Sequence, residues 1–284
     1  MKVEIEPGVH LWFDVDGAGL VPDGDTMRQR PTVLLLHGGP GMDHSGFKPD
    51  FAALTDVAQV VYYDHRGQGR SDRRTPDEWT FDVWADDVVR LCEALGIEQP
   101  IVLGNSFGGM VAMHYAARHP RHPSKLVLSS TAARINLPAV VDMFEHLGGP
   151  DAAATARAFW SDPTDTNRDA YLSKCGPLYT QSPGNLFDSK RAIRNNDVTT
   201  HFIRGEQQTM DLRRGLANIV CPTLVLAGGF DPVCPPTCAR EIAAAIDPAF
   251  VRLELFEHCG HGVFRDDPTR AFRILLDFIG QGIG

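Results

Sequence analysis

Short apolar runs alternate with helical patterns between residues 32 and 131, and this alternation constrains the fold more than any other feature of the chain. The runs are rich in β-branched and aromatic residues and cover residues 32–36, 60–64, 101–103 and 125–130. Such runs are typical of strands that are covered on both faces in a parallel sheet. From Phe81 to Leu95, apolar residues recur at helical spacing, and Gly96 follows as a stop signal. We therefore predict an α/β fold with a mostly parallel, doubly wound sheet.

The alternation is interrupted once, and this interruption divides the chain. It stops at Ala132 and resumes with the apolar run 223–228, while the residues between them are helix-like, irregular and interrupted by prolines. We predict a core formed by residues 1–132 and 216–284, with a helical cap inserted at residues 133–215. The alternative is an elaborated crossover that covers no site.

The remaining segments carry shorter signals. Residues 3–5 and 10–15 are predicted to form an antiparallel pair of strands at the edge of the sheet, joined through Pro7-Gly8. Residues 16–30 are predicted to be loop, and residues 47–55 a short helix. After the insertion we expect a strand over residues 251–257, flanked by helices, as a parallel sheet requires.

Charge and composition exclude several classes of function. The net charge of −9 and a pI near 5.6 argue against nucleic acid or an anionic membrane surface as a partner. No apolar run approaches the length of a membrane span, and the N-terminus lacks the apolar segment of a secretory signal. The six cysteines are scattered without a C-x-x-C pair. This pattern predicts reduced thiols, no metal site and a cytoplasmic location.

One sequence motif places a serine between a predicted strand and a predicted helix. Gly104-Asn105-Ser106-Phe107-Gly108 fits the pattern G-x-S-x-G, after the run 101–103 and before a helical segment that stops at Pro120. A serine at the tip of so sharp a turn has strained backbone, and the glycines let strand and helix come close. We predict that Ser106 is a nucleophile, with a plain turn as the alternative.

A serine nucleophile requires a base and a group that orients the base. Asp231 follows the strand-like run 223–228, although an aspartate before Pro232 also suits a simple helix cap. His258 and His261 both follow the next predicted strand, and flanking glycines allow His261 to turn toward the site. We predict the set Ser106, Asp231 and His261, whose chain order is that of α/β-hydrolases.

The loop after the first parallel strand is rich in glycine and is predicted to help form an oxyanion hole. It reads His37-Gly38-Gly39-Pro40-Gly41, and small residues let the backbone approach a substrate carbonyl. We assign the two donors to the amides of Gly39 and Phe107, the latter at a helix N-terminus. A phosphate-binding loop is the rival interpretation, but no Gly-Lys-Ser/Thr follows.

These residues together resemble the α/β-hydrolase superfamily over nearly the whole chain. The glycine-rich loop, combined with Asp64-His65-Arg66-Gly67-Gln68-Gly69-Arg70-Ser71, resembles the proline iminopeptidase branch, also called peptidase family S33. The second segment is interpreted as a turn that supports the loop, and a direct substrate role for Arg66 is the less favoured alternative. The resemblance implies release of an N-terminal residue through an acyl-enzyme, with no metal or cofactor.

The resemblance also implies glutamates in or beside the cap that bind a cationic amine. Residues 133–215 contain ten acidic and ten basic side chains, and Glu145 and Glu206 are their only glutamates. Both are candidate substrate-binding residues, and a solvated helix face is the alternative for each. The substrate is expected to be a small molecule or short peptide, with an ester or lactone as the alternative to an amino-acid amide. A non-enzymatic, hydrolase-like ligand receptor is the remaining hypothesis.

Overall fold

The computed structural model describes residues 1–182 and 191–281 and contains two sheets in that part of the chain. Its ten described strands, in chain order, are β1 (Lys2–Glu6), β2 (Val9–Asp16), β3 (Leu20–Asp23), β4 (Thr26–Gln29), β5 (Thr32–Leu36), β6 (Gln59–Tyr63), β7 (Ile101–Asn105), β8 (Lys125–Ser129), β9 (Thr223–Gly228) and β10 (Val251–Phe256). The main sheet has eight strands in the order β1-β2-β6-β5-β7-β8-β9-β10. Pairs that include β2 are antiparallel, and all the others are parallel. The predicted fold class and the antiparallel edge are confirmed.

Helices cover both faces of this sheet. The described α-helices are α1 (Phe81–Leu95), α2 (Phe107–Arg118), α3 (Leu137–Ser161), α4 (Asp165–Lys174), α5 (Asn196–Arg204), α6 (Arg213–Leu216), α7 (Pro236–Ala245), α8 (Val263–Asp266) and α9 (Pro268–Gly280). Helix α1 begins after Thr80, whose side chain accepts a hydrogen bond from the amide of Val83, and ends at Gly96 in the left-handed conformation. Two apolar cores result, one on each side of the sheet.

Two predictions for the N-terminal third were wrong. Residues 16–30 are not all loop, because β3 and β4 form a separate hairpin around Gly24, which has φ 60°. Both strands are largely exposed, so they lack the apolar alternation that marks a strand, and the two-residue turn Gly24-Asp25 was the available signal. The helix expected over residues 47–55 is instead two short 3₁₀ segments, His44–Phe47 and Asp50–Asp56, separated by Lys48 and Pro49.

The insertion begins and ends at neighbouring points of the core. Arg134 and Asp211 form an isolated antiparallel bridge, and the amide of Leu212 donates to the carbonyl of Ala133 at 2.8 Å. Its described part contains α3 to α6 and adds no strand to the main sheet. The division into a core and a cap stays a prediction, and residues 183–190 of the insertion lie outside the described residues.

All six cysteines are free and buried, as expected of reduced thiols. Burial raises the pKa of the Cys92 thiol to about 12 and that of Cys221 to about 11. These thiols are therefore protonated near neutral pH. Among the described residues, no helix is both long enough and apolar enough to cross a membrane.

Candidate active site

Ser106 lies at the tip of the turn between β7 and α2. Its backbone has φ 55° and ψ −120°, a conformation that non-glycine residues rarely adopt. A Cβ atom added to Gly104 would lie 2.3 Å from the carbonyl oxygen of Gly108. One added to Gly108 would lie 2.0 Å from the carbonyl oxygen of Leu36. Both distances are too short for a real side chain, so the turn requires both glycines.

The side chains of Ser106, His261 and Asp231 form one hydrogen-bonded chain. The Oγ atom of Ser106 lies 3.0 Å from Nε2 of His261. The Nδ1 atom of His261 lies 2.9 Å from each carboxylate oxygen of Asp231. Asp231 is fully buried, and the other two residues are each 8% exposed. When Nδ1 carries the proton and donates a hydrogen bond to Asp231, Nε2 is free to accept the proton of the serine hydroxyl.

Local hydrogen bonds hold Asp231 and His261 in these positions. Oδ1 of Asp231 also accepts from the amides of Val233 and Cys234, at 2.9 and 2.8 Å. The carboxylate therefore stabilises the local turn and also holds the histidine. The backbone N–H of His261 donates to the carbonyl of Tyr179 at 2.8 Å. Because Tyr179 belongs to the insertion, the insertion contributes to the position of the histidine.

The structure distinguishes the two histidines that follow β10. His258 is exposed, and His261 is the one that reaches Ser106. The amide of Gly260 donates to Oδ2 of Asp266 at 2.7 Å, which fixes the loop just before His261. Ser106, Asp231 and His261 each follow a parallel strand, and the carboxyl ends of parallel strands meet at one edge of a sheet.

Gly39 and Phe107, the residues predicted to supply the oxyanion donors, both border the cavity that contains Ser106. Phe107 is the first residue of α2, so its amide lies at the positive end of the helix dipole. Gly39 has φ 136°, which L side chains rarely adopt, so glycine suits this position. The arrangement brings both predicted residues to the nucleophile.

Residues 64–71 support the glycine-rich loop, as predicted. Oε1 of Gln68 accepts from the amide of Gly41 at 2.6 Å. Nε2 of His37 accepts from the amide of His65 at 3.2 Å, which requires that nitrogen to be unprotonated. Burial lowers the pKa of His37, so its neutral form is favoured. The loop is thus held at both ends by backbone hydrogen bonds to buried side chains.

Arg66 is part of a buried ion network rather than the cavity. Its guanidinium bonds both carboxylate oxygens of Asp87, at 2.8 and 2.6 Å, and it also contacts Glu78 and Glu6. Burial alone would lower the pKa of Arg66, but these hydrogen bonds raise it above its ordinary value. The network joins the start of the chain to α1, in agreement with the structural interpretation of the segment.

The cavity beside Ser106 is narrow and mostly apolar. About 30 Å³ of it is open to the centre of a water molecule. Besides Gly39, Ser106 and Phe107, its lining consists of Pro40, Met110, Ile135, Leu137, Val140, Trp160, Phe202, Gln207, Val233 and Cys234. No acidic or basic side chain belongs to this lining in the described ranges. The insertion forms one wall of the cavity, because it supplies six of these residues: Ile135, Leu137, Val140, Trp160, Phe202 and Gln207.

Neither predicted substrate-binding glutamate lies in this lining. Glu145 is an exposed residue of α3. Oε2 of Glu206 accepts a hydrogen bond from the amide of Phe81 at 2.9 Å, at the N-terminus of α1. Burial raises the pKa of Glu206. Its neighbour Gln207, which the sequence reasoning missed, lines the cavity instead. The irregular insertion carried no periodic signal that could have identified it.

Two groups of residues bring possible metal ligands together within the described ranges. They are Asp231, Cys234 and His261, and separately Asp43, His44 and Asp64. In the first group, both oxygens of Asp231 already accept from His261. In the second, Oδ1 of Asp64 accepts from the amide of His44 at 2.9 Å and lies 2.7 Å from its Nδ1. Internal hydrogen bonds account for both arrangements.

Residues 31–268 match the family model described as alpha/beta hydrolase fold. The chain is 30% identical over 269 residues to a proline iminopeptidase, PfmaB, of Pestalotiopsis fici, with 89% of this chain and 92% of the relative covered. It is 29% identical to a putative carbamate hydrolase, RutD, of Pseudomonas savastanoi pv. phaseolicola, covering 87% and 93%. A proline iminopeptidase structure from Mycobacterium smegmatis superimposes with a TM-score of 0.79 at 24% identity, covering 98% and 97%.

Proposed function

The chain belongs to the alpha/beta hydrolase family and is a hydrolase, and we propose that it is a serine hydrolase of small, uncharged carboxylic esters or lactones that uses Ser106, His261 and Asp231. The observation that carries this proposal is the hydrogen-bonded chain of these three side chains beside an apolar cavity. A nucleophile paired with a base, and a base paired with an orienting carboxylate, is the arrangement that acyl transfer needs.

In the proposed reaction, Oγ of Ser106 attacks the substrate carbonyl carbon while Nε2 of His261 takes the hydroxyl proton. The amides of Gly39 and Phe107 donate to the carbonyl oxygen as negative charge develops there. Collapse of the tetrahedral species breaks the bond to the leaving group, which receives the proton from His261, and leaves an acyl-enzyme. Water then attacks the acyl carbon while His261 takes a proton from it. The bond between that carbon and Oγ breaks, Oγ of Ser106 takes the proton from His261, and the acid is released. Asp231 stabilises the imidazolium at both stages.

The lining of the cavity favours an uncharged substrate. A free α-amine is cationic near neutral pH, and moving that charge from water into an apolar cavity is costly without a paired carboxylate. Glu206, the nearest glutamate in sequence to a lining residue, is engaged with the amide of Phe81.

An aminopeptidase is the second candidate, because a relative that is 30% identical over most of the chain is named a proline iminopeptidase. This candidate needs a carboxylate, or several carbonyl oxygens, facing the amine of the substrate. It uses the same three residues and the same acyl-enzyme, so the two candidates differ only in the group that the cavity accepts.

A comparison of specificity constants tests the proposal. We expect kcat/KM for p-nitrophenyl propanoate to exceed that for prolyl-p-nitroanilide by roughly 100-fold or more, after each is corrected for the uncatalysed rate, since the unpaired ammonium costs several kcal/mol. Ser106→Ala serves as the control. Its kcat for the ester should fall by on the order of 10⁶-fold, and a fluorophosphonate should no longer label it. Efficient cleavage of the anilide with little ester turnover would favour the aminopeptidase, and full activity of the alanine variant would contradict both candidates.

A further inference from the structure

Gln207 is a buried polar side chain in an otherwise apolar part of the cavity. It is 5% exposed and lines the cavity together with Val140, Trp160 and Phe202. Within the part of the chain that the structure describes, no side chain or backbone group bonds to its carboxamide. A carboxamide can donate two hydrogen bonds and accept two, and leaving them unmade in a buried site is unfavourable.

The turn that carries Gln207 is held on both sides. Before it, the carboxylate of Glu206 accepts from the amide of Phe81 and ties the turn to α1. After it, the side chain of Gln208 donates to the carbonyl of Ile203 at 2.6 Å and ties the turn to the end of α5. The side chains of its two neighbours thus bond to the protein, whereas Gln207 is the one of the three that lines the cavity.

We propose that Gln207 is a specificity-determining residue that binds a neutral hydrogen-bonding group on the acyl portion of the substrate. The inference rests on the proposed ester hydrolase function and deepens it. Gln207 lines the same cavity as Ser106, so an acyl group bound for attack is placed to bring a polar group of its own to this carboxamide. Binding then satisfies an amide that the protein leaves without a partner.

The chemistry of the site indicates which group this is. A carboxamide pairs best with a group that also donates and accepts, and a second carboxamide or a carbamoyl group does both. A charged group is disfavoured, because no ion of opposite sign lines the cavity among the described residues and burial of an unpaired charge is costly. We therefore assign the substrate class as esters of short acids that carry a neutral amide, with an apolar linker between the amide and the scissile carbonyl.

Matched esters and a matched variant test this assignment. The substrates are phenyl esters of malonamic, succinamic and glutaramic acids, each compared with the hydrocarbon isostere in which methyl groups replace the amide oxygen and nitrogen. For the chain length that fits, wild type should prefer the amide ester. Gln207→Met, which keeps the length of the side chain and removes both polar atoms, should reduce that preference by roughly 10- to 100-fold. Turnover of the hydrocarbon ester should change much less than turnover of the amide ester.

Gln208→Met provides the control, because Gln208 lies on the same turn and bonds to Ile203. It should leave the preference unchanged, and thermal unfolding verifies that both variants are folded. If Gln207→Met does not fold, Gln207→Leu replaces it. An unchanged preference at all three chain lengths, with hydrocarbon esters still hydrolysed, would overturn the role of Gln207 alone. If wild type hydrolyses no ester and Ser106 is not labelled, the proposed function fails and this assignment fails with it.

Discussion

The backbone N–H of Phe81 donates a hydrogen bond to the carboxylate of Glu206, with 2.9 Å between N and Oε2. This contact joins the insertion to the first turn of α1, where the helix dipole favours a negative charge. It explains why a glutamate beside the cavity does not line it. It also fixes the turn from which Gln207 reaches the cavity.

Replacement of Glu206 by Gln should change how stability depends on pH. Burial raises the pKa of Glu206 above its ordinary value near 4.5, so the folded state binds its proton more tightly than the unfolded state. The protonated form contributes to the free energy of unfolding. This contribution is complete below the ordinary pKa and is lost as pH rises through the raised pKa of the folded state. Because Gln stands in for the protonated form, the stability of Glu206→Gln relative to wild type should increase from pH 4 to pH 7. Urea unfolding of both proteins measures this, and a relative stability that falls with pH would contradict it.

The two histidines after β10 should behave differently. His261→Ala removes the proposed base and should lower kcat for ester hydrolysis by on the order of 10⁶-fold, since base and nucleophile act as one unit. His258→Ala alters an exposed side chain and should change kcat by no more than about twofold. Steady-state kinetics with one p-nitrophenyl ester measures both variants. Reversed effects would mean that His258 reaches Ser106 in solution.

Loss of Arg66 should destabilise the fold. Its side chain is buried against Asp87, and removing one partner of a buried pair leaves the other charge uncompensated. Arg66→Met should therefore lower the free energy of unfolding by about 3–5 kcal/mol. Arg204→Met is the control, because Arg204 is exposed and pairs with Asp162 at 2.9 Å outside this network, and it should cost at most about 1 kcal/mol. Equal losses in the two variants, measured by denaturant unfolding, would show that the Arg66 network contributes no more than a surface pair.

Gln68 should affect catalysis through the glycine-rich loop. Its Oε1 accepts from the amide of Gly41, two residues after Gly39. Gln68→Met removes that acceptor and should misplace the loop, lowering kcat by roughly 10- to 100-fold while KM changes less. Gln29→Met, in the exposed strand β4, is the control and should have wild-type kinetics. If KM rose by that factor instead and kcat stayed unchanged, the loop would contribute to substrate binding alone.

The elements around the sheet could be predicted from local patterns because their physical causes are local. An apolar run such as 223–228 must be buried on both faces, and α1 carries its own cap at Thr80 and its own stop at Gly96. The hairpin β3–β4 was missed because its side chains are exposed and no alternation of apolar residues marks it.

The three proposed catalytic residues were identifiable for a related reason. Each stands in the turn or loop that follows a strand, and parallel strands end at one edge of the sheet. Chain order and flanking glycines then separated His261 from His258. The distances that join His261 to Ser106 and Asp231 agree with that expectation. Their catalytic roles stay a prediction until the variants are measured.

By itself, the sequence determined the parallel sheet, the strained turn at Ser106 and the candidates Asp231 and His261. The signals for these features, which are the spacing of apolar residues, the spacing of glycines and the ends of strands, each lie within a few residues of the chain. Only the tertiary structure decided which side chains of the insertion face the cavity. Glu206 and Gln207 are adjacent in the chain, yet one bonds to Phe81 and the other lines the cavity. That difference depends on how the turn packs against a helix more than a hundred residues earlier, and no local pattern encodes such a contact.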